Sequence, residues 1–394
     1  MLHSPEIGRV AIEQDLFERI AAVVPRLSSR AQQAEEARRI PIESIQELLE
    51  AGIARVLVPR RFGGYELGIE TWFEIIRQIS RADASHGWCA SIIMHHAHLL
   101  GYFPEDAQQA VWGRSPDVAV AASIMPATQI TVVEGGYYVS GQQSAFASGV
   151  GHSAWVIVGG FVDESDTHEW RLFLVPAGKF EVRDTWFTAG MRGTGSNTIV
   201  TDKVFVPNAH TLAVSDLRDG NGPGGLINNG RLYRLPFGAY AALAFATPML
   251  GAAQGAYEKF RSCTKTRKGA GGGRMAEAGS IQVRTARAAA DLDSAELLLR
   301  RAAQLADTTA ASSPKLLARS VRDFARAGEL IVGTVDALIA LSGTAGFASS
   351  HPLQRVWRDV HFASAHVCLN ADANYAHFGR NEFDIIQAPG QPFF

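Results

Sequence analysis

Three histidines within four positions, His95, His96 and His98, are the densest chemistry in the chain. Imidazole titrates near neutrality and both donates and accepts hydrogen bonds, so it serves as metal ligand, proton carrier or polarising group. On a helix, residues three apart share a face, which points His95 and His98 together and turns His96 away by roughly 100°. No carboxylate or thiolate stands nearby to complete a metal set, so no metal site is expected. Two readings stay open: a partly buried helix face, or a single imidazole, His96, that orients or deprotonates a substrate hydroxyl.

Two further segments carry hydroxyls. SAFASGVGHSAW at 144–155 sets Ser148, which can donate and accept, beside Gly149, where a planar ligand can approach the backbone; an ordinary Ser-Gly turn explains the same letters. Gly193, Thr194, Gly195 and Ser196 read either as a ligand contact or as a loop feeding a strand. Near the end, Val356, Val360, Ala363 and Val367 form an apolar stripe. Stepping by roughly 100° puts His366 about 80° off its centre, on the rim of a cleft or as a satisfied structural histidine. Arg358 and Asp359 suit a tie between helices better than a reacting pair.

The elements that must hold these groups follow from patterning. Residues 1–116 read as short helices: Ile42, Ile45, Leu48 and Leu49 share a face, Gly52 stands where a helix stops, and Trp72, Phe73, Ile75, Ile76 and Ile79 mark another helix. Residues 117–212 read as strands, with a Glu134-Gly135-Gly136 hairpin turn; no helical period interrupts them, so an antiparallel barrel or sandwich is expected rather than a parallel sheet. Residues 213–394 read as a four-helix bundle with a tail. Its helices cover about 238–262, Ala288 to Leu299, Val321 to Leu338 and Leu353 to Arg380, with GAGGG at 269–273 as a mobile surface loop. The class is α+β and multidomain.

Other chemistries lose their support. Gly220, Gly222 and Gly225 match GxGxxG, but no strand runs into them and Pro223 sits inside, against a dinucleotide cradle. There is no P-loop, GxSxG elbow or HExxH. The 394 residues carry 37 Lys plus Arg against 39 Asp plus Glu, a net charge of −2, which offers no field for nucleic acid. Three cysteines with no CxxC, a charged N-terminus and no uninterrupted apolar span predict a soluble cytoplasmic protein without membrane anchorage.

Taken in order, VPRRFGG, GMRGTGS, VFVP and PLQRVWRD resemble the acyl-CoA dehydrogenase fold along nearly the whole chain. GWCASI at 87–92, FASG at 146–149, LYRLPF at 232–237 and HPLQRVWRDVHFASAH at 351–366 resemble, within that fold, the oxygenase components of two-component flavin-dependent monooxygenases. Relatives of this kind hydroxylate 4-hydroxyphenylacetate or the phenolic ring of seco-steroids. The resemblance implies reduced FMN, with FADH2 second, supplied by a separate NAD(P)H:flavin reductase, and O2 as co-substrate. It implies a C4a-hydroperoxyflavin that hydroxylates an aromatic substrate, and a homotetramer. It also implies roles: Ser148 at flavin N5, Ser123 at the ring edge, Trp88 as a wall, and Arg234, with Arg231 second, on the isoalloxazine charge. Ser342, Gly343 and Thr344 would touch the cofactor from the bundle; His96 would polarise a phenol and His366 bind the distal peroxide oxygen. No glutamate follows Arg358-Asp359 where many dehydrogenases of this fold keep their base, which separates the two branches. Two departures stand out: Gln142-Gln143 replaces an aromatic, with the spacing one residue longer, and MHHAHLL is richer in histidine than the family pattern, which leaves His95, His96 and His98 all open as the imidazole that meets substrate. Alternatives are an N- or S-oxygenase acting on an amino sugar or thiophene, and an acyl-CoA dehydrogenase-like flavoprotein.

Overall fold

The computed structural model describes residues 5–385 apart from 165–166, 229, 270–271 and 309–312. Its first part is six helices: α1 (Pro5–Ser29), α2 (Ala31–Ala37), α3 (Ile42–Glu50), α4 (Ile69–Ser80), α5 (Ala84–Leu100) and α6 (Glu105–Trp112). Gly52 ends the α3 segment at φ +95°, a left-handed conformation that glycine adopts without a Cβ clash. Ile45 and Leu48 are buried, but Ile42, expected on the same face, is half exposed. Helix α4 buries Trp72, Phe73, Ile75, Ile76 and Ile79 completely. Its first N–H groups, left without a capping side chain by Gly68, are taken by Asp307 of the bundle, at 2.8 Å to Ile69 and 2.9 Å to Glu70. One carboxylate thus ties the N-terminal helices to the C-terminal ones.

Seven strands follow: β1 (Val120–Val133), β2 (Gly136–Ala147), β3 (Trp155–Glu164), β4 (Thr167–Pro176), β5 (Phe180–Arg183), β6 (Asn197–Pro207) and β7 (Thr211–Ala213), in the order β5-β6-β2-β1-β3-β4-β7. The hairpin forms as expected, with Val133 opposite Gly136 and Gly135 at φ +79°. The sheet is mixed rather than all antiparallel, because β1 pairs β3 in parallel from Val120 opposite Trp155. The absence of a crossover helix misled here, since β2 itself carries the chain back to β3's starting end. Register shifts between Ser123, Pro126 and Thr128 bend β1, so its first half joins β3 and its second half β2.

After α7 (Val214–Asp219) and α8 (Gly224–Ile227) come α9 (Leu243–Thr266), α10 (Gly279–Ala306), α11 (Pro314–Ser342), α12 (Pro352–Ser364) and α13 (Ala371–Glu382). Gly222 and Gly224 pack against Gly101 and Tyr102 just past α5, with Gly224 N donating to Tyr102 O at 2.9 Å, and Gly220 and Gly225 pack against the 233–235 backbone, which leaves no room for a pyrophosphate. Helix α11 packs on the other four, and its Phe324, Ile331, Val335 and Leu338 are buried against Ala288, Leu292, Ala295 and Leu299 of α10 among others. By length and composition α11 could cross a membrane; its stripe is covered by protein. The GAGGG segment lies between α9 and α10, with residues 270–271 outside the described residues. The helix expected from Leu353 to Arg380 is two helices. It breaks after Ser364, and Asn370 Oδ1 caps the restart by accepting from Ala373 N at 2.9 Å.

Candidate active site

Helices α5, α9 and α12 and the β1–β2 face of the sheet enclose a cavity of about 640 Å³. Its size falls in the range of small-molecule sites, about 300–1,000 Å³. The walls are apolar and aromatic: Trp88, Ile92, Phe146, Trp186, Phe245 and Phe362. No Asp, Glu, Lys or Arg lines it among the described residues. Polarity enters through hydroxyls, Ser123, Ser148, Thr194 and Ser196, and imidazoles, His95, His96 and His366.

Helix α5 delivers the wall and two histidines. Asp83 caps it, accepting from His86 N at 3.1 Å, and all seventeen of its residues are buried. Trp88 Nε1 donates to Ser148 Oγ at 3.0 Å. His96 Nδ1 lies 2.9 Å from Val120 O; a carbonyl only accepts, so the proton is on Nδ1 and Nε2 is an open acceptor. Burial pushes the ring down to about 4, and it stays neutral at pH 7. His95 stacks on Trp72 at 5.7 Å with both ring nitrogens unpartnered among the described residues, and burial holds it neutral too. His98 leaves the group: Nε2 bonds Leu232 O at 2.6 Å, away from the cavity. The expected pairing of His95 with His98 is therefore replaced by His95 with His96.

His366 reaches the cavity by another route than a helix rim. It stands in the break after α12, where its Nδ1 accepts from Cys368 N at 3.3 Å, leaving the proton on Nε2. Phe245 stacks on the ring at 3.6 Å, Trp88 meets it edge-on at 6.0 Å, and burial pushes it down to about 4. The site thus presents one imidazole acceptor and one imidazole donor, both neutral.

Ser123 lines the cavity and gives its own proton to Ala145 O at 3.0 Å. The loop 193–196, ambiguous in sequence, brings Thr194 and Ser196 to Ser148. Phe146, also on the lining, takes φ +68° where β2 and β6 shift register between Ser144 and Ala147. The side chains of Gln142 and Gln143 lie outside the described residues. Five residues named from the resemblance are not brought to this cavity within one subunit. Arg234 is exposed and its Nε holds Gly225 O at 2.7 Å. Arg231 turns to Ala306 O. Ser342 is buried with its hydroxyl on Leu338 O at 2.9 Å, while Gly343 and Thr344 are exposed at the end of α11. Phe245 and Phe237, which close the cavity from the chain after 236, were missed; their apolar context resembles any core segment.

The Arg358-Asp359 pair is structural, as its setting suggested. Asp359 Oδ1 accepts from Met191 N at 2.6 Å and Arg358 pairs with Glu35 at 2.9 Å. Burial and the nearby Asp83 push the Asp359 carboxyl up to about 8. A second constellation has the composition of a nucleophilic triad: Asp83 Oδ2 sits 2.8 Å from His86 Nδ1, whose Nε2 is 3.2 Å from Ser44 Oγ. All three are buried and none lines the cavity described above; Asp83 serves as the cap of α5.

Comparison with known proteins agrees with this geometry. Residues 14–115 match the acyl-CoA dehydrogenase N-terminal domain and 243–371 the acyl-CoA dehydrogenase C-terminal domain. The chain is 33% identical over 376 residues to the flavin-dependent monooxygenase oxygenase subunit HsaA of Rhodococcus jostii, covering 94% of this chain and 98% of that one. It is 34% identical over 391 residues to the FADH(2)-dependent resorcinol hydroxylase oxygenase component of a Rhizobium species, covering 95% of each. The crystal structure of 3-HSA hydroxylase from Rhodococcus superposes with a TM-score of 0.90 at 33% identity, covering 95% of this chain and 98% of that one. A carboxylate-free cavity on an acyl-CoA dehydrogenase scaffold and this extent of likeness place the chain in the family of flavin-dependent monooxygenase oxygenase components.

Proposed function

We propose that the cavity takes reduced flavin and a neutral phenol together, and that the chain hydroxylates the ring beside its existing oxygen, using O2. The single observation that carries this reading is the lining: apolar and aromatic, without a charged side chain, yet furnished with one imidazole acceptor and one imidazole donor. The residues fit a flavin. Trp88, Trp186 and Phe146 offer flat walls, and Ser123 and Ser148 offer hydroxyl oxygens to a ring edge. Bound reduced flavin supplies the electrons that activate O2 and delivers one oxygen atom to the substrate.

The chain's own residues supply the rest. Apolar walls exclude water. Ser148 holds the N5 proton with a lone pair. His96 Nε2 accepts the phenol O–H and raises electron density in the ring. Burial makes this imidazole a weaker base than an ordinary histidine, well below a phenol, so in this reading His96 polarises the hydroxyl rather than removing its proton. His366 Nε2–H donates to the oxygen under transfer.

Absence of a carboxylate from the lining speaks against an acyl-CoA dehydrogenase, whose chemistry needs a base for the α-proton. Absence of Lys and Arg favours uncharged substrates over amino-sugar nucleotides or carboxylate-bearing phenols. FMNH2 is the preferred form of the cofactor, FADH2 the alternative that the name of the Rhizobium relative carries. A separate reductase and a cytoplasmic setting belong to the same reading, which the unpaired Cys89, Cys263 and Cys368 support. So does a homotetramer in which the exposed Arg234, Gly343 and Thr344 of one subunit meet the flavin of another.

Oxygen uptake with FMNH2 or FADH2 and a panel of neutral phenols, thiophenes and amines, with 18O2 tracing, tests the proposal. Incorporation of one labelled oxygen into a phenol is expected. Failure to bind either reduced flavin, or oxygenation confined to nitrogen or sulfur, overturns it.

A further inference from the structure

Ser148 does not act alone. Trp88 Nε1 donates to its Oγ at 3.0 Å; Ser148 Oγ lies 2.8 Å from Ser196 Oγ, which lies 2.6 Å from Thr194 Oγ1, which lies 2.9 Å from Met191 O. Each hydroxyl has one proton to give. Both ends of the chain have fixed polarity, because an indole N–H only donates and a carbonyl only accepts. Thr194 therefore donates to Met191 O, Ser196 to Thr194, and Ser148 to Ser196. Reversing any link would set lone pair against lone pair. All three hydroxyl residues are buried, so bulk water offers no substitute partner. The Met191 peptide is itself held at both atoms, its N by Asp359 at 2.6 Å and its O by Trp186 Nε1 at 2.9 Å.

We propose that this one-way relay makes Ser148 an acceptor only toward the cavity, and that Ser196 and Thr194 thereby set a preference for reduced over oxidised flavin. The inference rests on the reading of the cavity as the flavin site with Ser148 at N5. Reduced N5 carries a hydrogen, which the free lone pair of Ser148 receives. Oxidised N5 presents a lone pair and meets a hydroxyl whose proton is already committed. One hydrogen bond made in one redox state and refused in the other corresponds to roughly a tenfold difference in affinity.

Ser196→Ala cuts the relay and frees the Ser148 proton, while Trp88 still donates. Binding of oxidised FMN is followed by fluorescence quenching, and that of FMNH2 by anaerobic titration. The variant should bind oxidised FMN about tenfold tighter than the wild type and FMNH2 within about twofold of it. The midpoint potential of the bound flavin should fall by about 30 mV for each tenfold loss of preference. Thr194→Val, which also removes the acceptor that orients Ser196, should do the same, and Ser196→Thr should restore the wild-type ratio. Ser148→Ala should weaken FMNH2 without tightening oxidised FMN. A ratio of oxidised to reduced affinity unchanged in both Ser196→Ala and Thr194→Val overturns the inference. Wild-type protein that binds neither form of FMN or FAD overturns the flavin reading instead, before any variant is made.

Discussion

Replacement of His96 by alanine tests the group proposed above to face the phenol. Its Nδ1 proton is committed to Val120 O at 2.9 Å, so what disappears from the cavity is one neutral acceptor, Nε2. A neutral hydrogen bond contributes roughly 0.5–1.5 kcal/mol, or about 2- to 13-fold. Product formed per flavin oxidised, measured in single turnovers from pH 5.5 to 9, should fall by that factor in His96→Ala at pH 6. The loss should persist to pH 9, because a phenol with a pKa near 10 stays mostly protonated over this range and the lining offers no cation to a phenolate. His96→Gln, which keeps an acceptor that does not titrate, should regain part of the loss. The wild-type profile should be flat over this range, because burial pushes both His96 and His366 down to about 4 and neither changes charge. A product fraction in His96→Ala equal to that of the wild type, or a wild-type midpoint near the ordinary histidine value of about 6.5, would refute the reasoning.

His366→Ala should leave FMNH2 affinity within about twofold, yet lower the product fraction about tenfold as hydrogen peroxide rises, read by peroxide assay against product. Asp359 holds its proton more tightly folded, at about 8, than unfolded, near the ordinary Asp value. Its contribution to stability is therefore complete below about pH 4 and is lost as pH rises toward 8, by up to roughly 1.4 kcal/mol per unit. Asp359→Asn, which still accepts from Met191 N, should abolish that slope in the difference between urea-unfolding curves from pH 5 to 9; a pH-independent difference would count against it. Ile331→Ala in the fully buried stripe of α11 should lower stability by about 2–5 kcal/mol, seen as a reduced urea midpoint with an unchanged slope.

Much of the scaffold was legible because its elements are amphipathic or punctuated. Helix α4 buries one face and pairs Glu74 with Arg300 on the other at 2.9 Å, and the Glu134-Gly135 turn closes its hairpin where the letters placed it. Helix α5 defeated the same logic. Every one of its residues is buried, so periodicity carries no facing signal and could not tell His96 from His98. What sorts them is a backbone carbonyl from distant chain in each case, Val120 O for His96 and Leu232 O for His98. The break at His366 was hidden for a related reason: SAHVCLN contains neither glycine nor proline, and His366 and Asn370 cap the interruption with their own side chains. Ser148 was legible as a hydroxyl beside a glycine, but its relay through Ser196 and Thr194 depends on a loop about fifty residues away that only the sheet brings near.

Strand β1 belongs to both halves of the sheet, antiparallel to β2 along one stretch and parallel to β3 along the other. These pairings have very different kinetic prospects. The first closes across a two-residue turn, a local event on the microsecond scale. The second must wait until the whole of β2 has been laid down, since Val120 meets Trp155 only after the intervening chain has doubled back. Ser123 and its neighbours on the cavity wall lie on the stretch paired with β3, so the cavity is expected to close after the hairpin during refolding.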